Sequence, residues 1–507
     1  MIIDLNSADH DPFTGKVYDV CICGAGVAGI TLALKLSPKL DVVLVEGGGL
    51  EYTNDSQDIY RGKNTGEEYY DLAEARLRYF GGSSNHWAGW CHPLDRYDFM
   101  PKPYVRYSGW PIARRDLDPY LEESESILDI THDSGEGQYP AHEDLGDAIA
   151  TSKDFQRTGF KWSAPTRFGE KYRAAIDRKR GLVCCVNANV VDMRLFENHS
   201  KLEHVEVRNF RGKRFKVKAR TFVLAAGGIE NPRILLNCNR QMKAGLGNDK
   251  GLVGRFFTEH PNKTVGRFIL EDRWKQNLAR NWTTTGHIYK NDRFFSPSAE
   301  FMEREQVLNF GIFVEPFRRP VDRRAFRDAL KGLVREDLRN RGGAMWTPPS
   351  QPSGEGRIRV ESEQALNASS RISLGPEVDR YGMRRSVLDW RLSAIDTRTM
   401  QVAAIRLGEL FAKLGIGRIN IDEWLLAEEI EVPGAPNFIA GRHHMCTTRM
   451  SNSRHDGVVD ANQRLFGVDN LYVGGSSVFS TAGQDSPTIT IVQMTLRLAA
   501  HLNGTGI

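Results

Sequence analysis

The chain has 507 residues, 40% of them hydrophobic and 26% charged, and its 68 basic and 64 acidic residues leave a net charge of +4. That length exceeds one simple core and predicts two domains, while the near balance of charge gives no case for a nucleic-acid partner. The N-terminus lacks the basic start and apolar run of a secretory signal, no stretch approaches the ~20 apolar residues of a membrane span, and the seven scattered cysteines show no zinc-like spacing, which suits a reduced cytoplasmic setting.

An apolar strand is predicted from Val17 to Cys23, and it runs straight into Gly24-Ala25-Gly26-Val27-Ala28-Gly29. A short apolar helix follows and stops near Pro38, and a second strand, Val42 to Val45, ends on Glu46. In a dinucleotide site Gly24 permits the tight turn, Gly26 lets the backbone approach a pyrophosphate, and Gly29 lets helix and strand pack closely. The helix N-terminus offers unpaired N–H groups and a positive dipole end. Glu46 is placed to accept hydrogen bonds from ribose hydroxyls.

A polar stretch leads to about Arg76, and then comes a dense block, Arg78 to Phe99 (RYFGGSSNHWAGWCHPLDRYDF). Its paired glycine, hydroxyls, amide, histidine and tryptophans suit a loop wrapped around a large planar ligand. Trp87, Trp90 and Trp110 are candidates to line a site, with core positions as the other reading. An acidic, helix-compatible run begins near Asp116.

Strand-like segments return at Leu182 to Val186, Val190 to Met193 and Phe222 to Ala225. The last turns sharply at Ala226-Gly227-Gly228 into a helix with Pro232 in its first turn. From about Arg255 to Asn420 the pattern becomes alternating, as in KTVGRFIL, SRISL and RSVLDWRL. A helix is predicted from Ala325 to Leu338 within a basic run (Arg318 to Arg341), a Pro/Gly/Ser-rich loop from Thr347 to Glu355, and a further helix from Thr397 to Leu414. The tail brings GRHHMCTTRMS, a short strand from Leu471 to Gly475, and an apolar helix from Thr488 onward. The expected architecture is α/β: a doubly wound, Rossmann-like nucleotide domain built from both chain ends (1–254 and 421–507), with an α+β substrate-binding lobe on an antiparallel sheet (255–420).

Taken together, Gly24 to Gly29, Gly81 to Trp87, Phe222 to Pro232, Gly251 to Pro261 (GLVGRFFTEHP) and His443 to the end resemble the glucose–methanol–choline (GMC) oxidoreductases, most of all the branch with pyranose oxidase and bacterial sugar dehydrogenases. The resemblance implies FAD as cofactor. It implies that Gly24, Gly26, Gly29 and Glu46 hold the ADP half and that Val190 and Ala226 lie near the adenine. It sets Gly82, Ser83, Asn85, His86, Trp87 and Ala88 along the flavin, with Gly475, Ser476 and Thr488 closing from the other side. His86 matches the histidine that carries the flavin in pyranose oxidase, with a non-covalent contact as the alternative.

The resemblance also aligns His443 with the family's HxxGT histidine, which faces the reactive edge of the flavin. A neutral imidazole suits removal of a hydroxyl proton as hydride leaves carbon. His444, next to it in an extended segment, points elsewhere and takes a supporting part. Two departures bear on mechanism. Cys446 stands at the usual glycine, adding a side chain close to the flavin. Ser486, in DSPT, stands where the family has Asn or His. Either Ser486 assists His443, or Asp485 or Gln484 reaches in, or the oxidation activity is altered; Ser486 could also serve as a helix N-cap before Pro487. The expected activity is oxidation of an alcohol on a sugar, glycoside or polyol, with oxygen, a quinone or a partner subunit as electron acceptor and no metal. A tailoring enzyme for natural-product glycosides and a non-catalytic flavoprotein subunit are the alternatives.

Overall fold

Two sheets organise the chain. The structure, a computed structural model, describes all residues but 131–144, 160, 165, 281–293, 321–349, 429, 431, 435–437 and 506–507. The helix expected from Ala325 to Leu338, and most of the basic run around it, lie outside the described residues.

In the first sheet Ile2–Asp4, Leu182–Val186, Val42–Val45, Tyr18–Cys23 and Arg214–Leu224 lie side by side in parallel. Leu471–Val473, from the far end of the chain, pairs in parallel with Phe222 to Leu224. The lower half of Arg214–Leu224 extends antiparallel into Leu202–Arg208 and then Asn189–Leu195. Val42–Val45 is buried at every residue, as a parallel strand covered on both faces must be. The helix Val27–Lys35 packs against the helices Phe168–Arg178 and Thr488–Gly504, so both chain ends share one core.

The carboxyl ends of four parallel strands, at Cys23, Val45, Leu224 and Val473, run out at the same edge. The loops that follow them carry Gly24, Glu46, Ala226 and Gly475. Ligands of open parallel sheets bind at this edge, where the helices that follow present their N-termini.

The second sheet is antiparallel, in the order Gly417–Ile421, Pro261–Leu270, Ser350–Ser362, Phe310–Pro320, Phe294–Pro297, Phe155–Arg157. Phe438–Ala440 pairs with the start of Pro261–Leu270. The sheet thus draws strands from before residue 255 and from after residue 420, as well as from between. The helix Ala394–Lys413, opened by a Ser393/Asp396 capping box, covers one face of this sheet. Two local expectations give way to tertiary pairing. The loop expected through Glu355 is already strand at Ser350, because Ser350 to Pro352 pair with Arg318 to Pro320. The acidic run from Asp116 forms two short 3₁₀ turns before its helix, Leu121–Ile127.

Candidate active site

A cavity of about 790 Å³ opens where the two sheets meet. Its nucleotide end is built from backbone. Gly24 has φ +109°, and a β-carbon there would stand 2.5 Å from the Ala225 carbonyl oxygen, so only glycine fits the turn. A β-carbon on Gly26 would meet nothing within 4 Å and would project into the space above the helix. The helix Val27–Lys35 has no side-chain cap and no acid in its first turn, which leaves its N–H groups directed at the cavity. The same holds for Thr488–Gly504, whose cap is Pro487. Two uncapped helix N-termini on one cavity form an anion site of the kind a pyrophosphate fills.

Glu46 lies at the tip of its strand and lines the cavity, but part of its carboxylate serves the fold. Oε2 accepts from Ala25 N–H (2.7 Å) and Oε1 from Gly48 N–H (2.8 Å), and the remaining lone pairs are left for ribose hydroxyls. Asn231 ties two of the loops together: its Oδ1 accepts from Ala226 N–H, and its Nδ2 donates to the Gly474 carbonyl and to Ser477 Oγ. One wall carries a buried chain of charges that no motif announces. Arg76 faces Glu230 at 3.2 Å, and Arg233 bridges Glu230 (3.0 Å) and Asp379 (2.5 Å). Burial would raise Glu230, but Arg233 and Arg76 outweigh it and hold the carboxyl below its usual range.

The cavity brings together Gly24, Gly26, Glu46, Gly82, Ser83, His86, Trp87, Ala88, Val190, Ala226, His443, His444, Gly475, Ser476, Ser486 and Thr488. Gly29 and Asn85 stand outside that lining. Gly29 packs against the Gly24 carbonyl with no room for a β-carbon, and Asn85 braces its own loop by donating to the Phe80 carbonyl and accepting from Gly169 N–H. Trp87 and Trp90 line the cavity, whereas Trp110 is core, its ring tilted against Phe99 and Phe479 and its indole N–H donated to Thr481. A wider open trough of about 1040 Å³, lined by Asp4, Glu51 and Asp177 among others, holds none of the motif residues save the flank of Gly49.

At the other end two segments zip together. Thr258 and Met445 pair antiparallel, which sets Glu259 opposite His444 and His260 opposite His443. His443 Nδ1 meets His260 Nδ1 at 2.8 Å, the rings edge to face. His444 Nε2 meets Tyr69 Oη at 2.8 Å, and the Tyr69 hydroxyl donates to Glu259 Oε1 at 2.5 Å. Burial pushes His443 well below the usual imidazole range, with His260 and His444 adding to the shift, and it pushes His260 down to about 4. Burial pushes His444 down to about 3 as well, so all three rings are neutral at physiological pH. Where His443 donates from Nδ1, its Nε2 holds a free lone pair.

The residues around Ser486 settle differently from the alternatives open in sequence. The helix cap is Pro487, so Ser486 does not serve as cap, and it lines the cavity. Asp485 does not reach in: its Oδ2 pairs with His92 Nδ1 at 3.1 Å, and Gln484 donates to its other oxygen. Cys446 sits at φ +67°, which is why glycine suits that position in the resembled motif, but its sulfur does not line the cavity. It is fully buried and accepts from the Thr258 hydroxyl at 3.1 Å. Arg359, Glu361, Phe313 and Trp90 line the same cavity. Glu361 lies on a strand whose alternation reads as ordinary sheet, and only the fold turns it toward the histidines. His260 was within reach of the sequence, since it sits in the TEHP block.

The donor set fits FAD: uncapped helix ends for the diphosphate, a carboxylate for the ribose, and an aromatic-lined chamber beside a neutral imidazole. Residues 367–495 match a family model described as GMC oxidoreductase. The chain is 24% identical over 552 aligned positions to 6'''-hydroxyparomomycin C oxidase of Streptomyces lividus, covering 96% of this chain and 92% of that protein. It is 23% identical over 481 positions to 2-methyl-1,2-propanediol dehydrogenase of Mycolicibacterium austroafricanum, covering 83% and 80%. Pyridoxine 4-oxidase from Mesorbium loti shares the fold, with a TM-score of 0.56 at 18% identity over 96% of this chain and 99% of that one.

Proposed function

The chain belongs to the GMC oxidoreductases, FAD-dependent enzymes of alcohol oxidation, and from that premise we propose that it oxidises a hydroxyl on a sugar, glycoside or polyol with His443 as base. The observation that carries the reading is one cavity with two uncapped helix N-termini at one end and the His443–His260 pair at the other.

Gly24, Gly26 and Glu46 would hold the ADP half, with Val190 and Ala226 beside the adenine. Gly82, Ser83, His86, Trp87 and Ala88 would flank the ring system, with Gly475, Ser476 and Thr488 opposite. Bound FAD supplies a two-electron hydride acceptor. The substrate hydroxyl gives its proton to Nε2 of His443, and His260 keeps the ring in the orientation and tautomer that leave Nε2 open. Ser486 contributes one hydrogen bond to the substrate oxygen. Trp90 and Phe313 offer apolar faces on which a sugar ring stacks. The electron acceptor is oxygen, a quinone or a partner subunit. Among the described residues no helix is long and apolar enough to cross a membrane, and seven buried thiols suit a cytoplasmic setting.

A narrower substrate is favoured by the near full-length similarity to 6'''-hydroxyparomomycin C oxidase: a natural-product glycoside rather than a free sugar. The test is the visible spectrum of the purified protein before and after anaerobic addition of sugars, diols and glycosides. Flavin bands that bleach with one class name the substrate. Bands that bleach with none overturn the oxidoreductase reading in favour of a non-catalytic subunit.

A further inference from the structure

Ser486 offers His443 a single hydroxyl in place of the Asn or His that the resembled motif supplies, and Asp485 and Gln484 are engaged with His92 and with each other. A further polar group comes from the other sheet. Glu361 lies directly opposite Asn262 in the pairing of Ser350–Ser362 with Pro261–Leu270. Asn262 Nδ2 donates to its Oε2 at 2.6 Å, which turns Oε1 toward the histidines, 3.8 Å from His260 Nδ1. One carboxyl oxygen of Glu361 and one ring nitrogen each of His260 and His443 all lie within 4.8 Å of one another. Both Glu361 and His443 line the cavity.

We propose that Glu361 is the positioning acid of this active site, the counter-charge that stabilises the proton as the His443–His260 pair takes it from the substrate. The inference rests on the reading of His443 as base. When the substrate O–H breaks, the proton joins His443 Nε2, and the electron pair of the C–H bond leaves as hydride to the cofactor. The pair, neutral before, then carries one positive charge shared along the Nδ1–Nδ1 line. A carboxylate beside that line lowers the energy of this charged state and not of the neutral one, which is the differential stabilisation that raises a rate.

Other groups face Glu361, and none removes this role. Arg359, on its own strand, comes only within 3.9 Å, and its guanidinium is bound by two hydrogen bonds to Glu315 of the neighbouring strand. His260 and Asn262 face it from the strand on the other side, His443 from its loop, and Asp485 acts from the segment before the last helix. Burial lifts the Glu361 carboxyl to about 7, with Arg359 and the Asn262 bond opposing and Asp485 reinforcing. Its ionisation therefore falls within the working range of pH.

The test compares wild-type holoenzyme with Glu361→Gln and Glu361→Asp. In wild type the rate of anaerobic flavin reduction is expected to rise with pH through about 7. In Glu361→Gln that limb is lost and the rate above pH 8 falls about tenfold, while FAD content and the visible spectrum stay unchanged; the aspartate partly restores both. A Glu361→Gln enzyme that keeps the limb and the rate overturns the proposal. A second readout needs no turnover. With 15N-labelled histidine, the His443 and His260 ring resonances of wild type should shift as pH crosses about 7, and that shift should move in Glu361→Asp. Ring resonances indifferent to both changes likewise overturn it. A wild type whose flavin no alcohol reduces strikes at the base reading instead, and the resonance experiment still decides on Glu361.

Discussion

The two ends of the cavity are made of different material. The nucleotide end is backbone: a positive-φ glycine, a second glycine open to the cavity, two helix N-termini and a carboxylate that is itself pinned by amides. The substrate end is side chain: imidazoles, carboxylates and a phenol drawn from segments near residues 69, 260, 361 and 443. Backbone sites depend on absent side chains, so substitutions there damage the fold and the cofactor together. Side-chain sites can be edited with the fold intact.

The largest effect tests the second half of that contrast. His443→Asn keeps a polar group of similar reach but cannot take the proton, and it should slow anaerobic flavin reduction by about 10²–10⁴-fold. FAD content and thermal midpoint should stay within error of wild type. Loss of cofactor instead would mean that the histidine belongs to the backbone-like end. Next comes Gly24→Ala. The added carbon meets the Ala225 carbonyl at 2.5 Å in a turn at φ +109°, so stability should fall by roughly 2 to 4 kcal/mol, with FAD lost. Calorimetry and flavin absorbance after gel filtration check both, and a stable, yellow Gly24→Ala protein would break the comparison.

The same contrast governs what is legible in the sequence. Gly24, Gly26 and Glu46 are local features: turn, dipole and acid fall at fixed spacing in one short stretch, so local physics fixes them. His443 was legible because the block around it is short as well. Glu361 was not, because nothing within ten residues marks it, and its orientation depends on a cross-strand partner almost a hundred residues away, Asn262. Tyr69, which joins Glu259 to His444, was hidden for the same reason, and so was the Arg76–Glu230–Arg233–Asp379 wall. The strand at Ser350 was misread as loop because its local composition opposes the pairing that holds it.

A pH experiment probes the ion pair that holds Asp485, next to Ser486, out of the cavity. Burial disfavours charge on His92, but Asp485 beside it prevails and raises the imidazole to about 9. The folded value lies above the unfolded one, so the stabilisation is complete below about 6.5 and is lost as pH rises through about 9. Burial of Asp485 offsets part of the gain, which leaves at most about 3 kcal/mol. The gap in thermal stability between wild type and His92→Gln should be widest near neutrality and close above pH 9. A gap that does not vary with pH would mean that the contact is an uncharged hydrogen bond.

Cys446→Gly has the smallest expected effect and sharpens the contrast most finely. At φ +67° the cysteine carries strain of about 1 kcal/mol, which glycine relieves. Against that stand the lost burial of the sulfur, the Thr258 hydroxyl left without its acceptor, and the greater freedom of glycine in the unfolded chain, each of similar size. The net change should stay within about 1 kcal/mol. The kinetics carry the information. The sulfur points at Thr258 and away from the cavity, so the reduction rate should not change even though the residue lies three positions from the base. A rate that moves several-fold would show that the HHMC loop transmits its backbone geometry to His443, and then the substrate end, too, would be partly a backbone site.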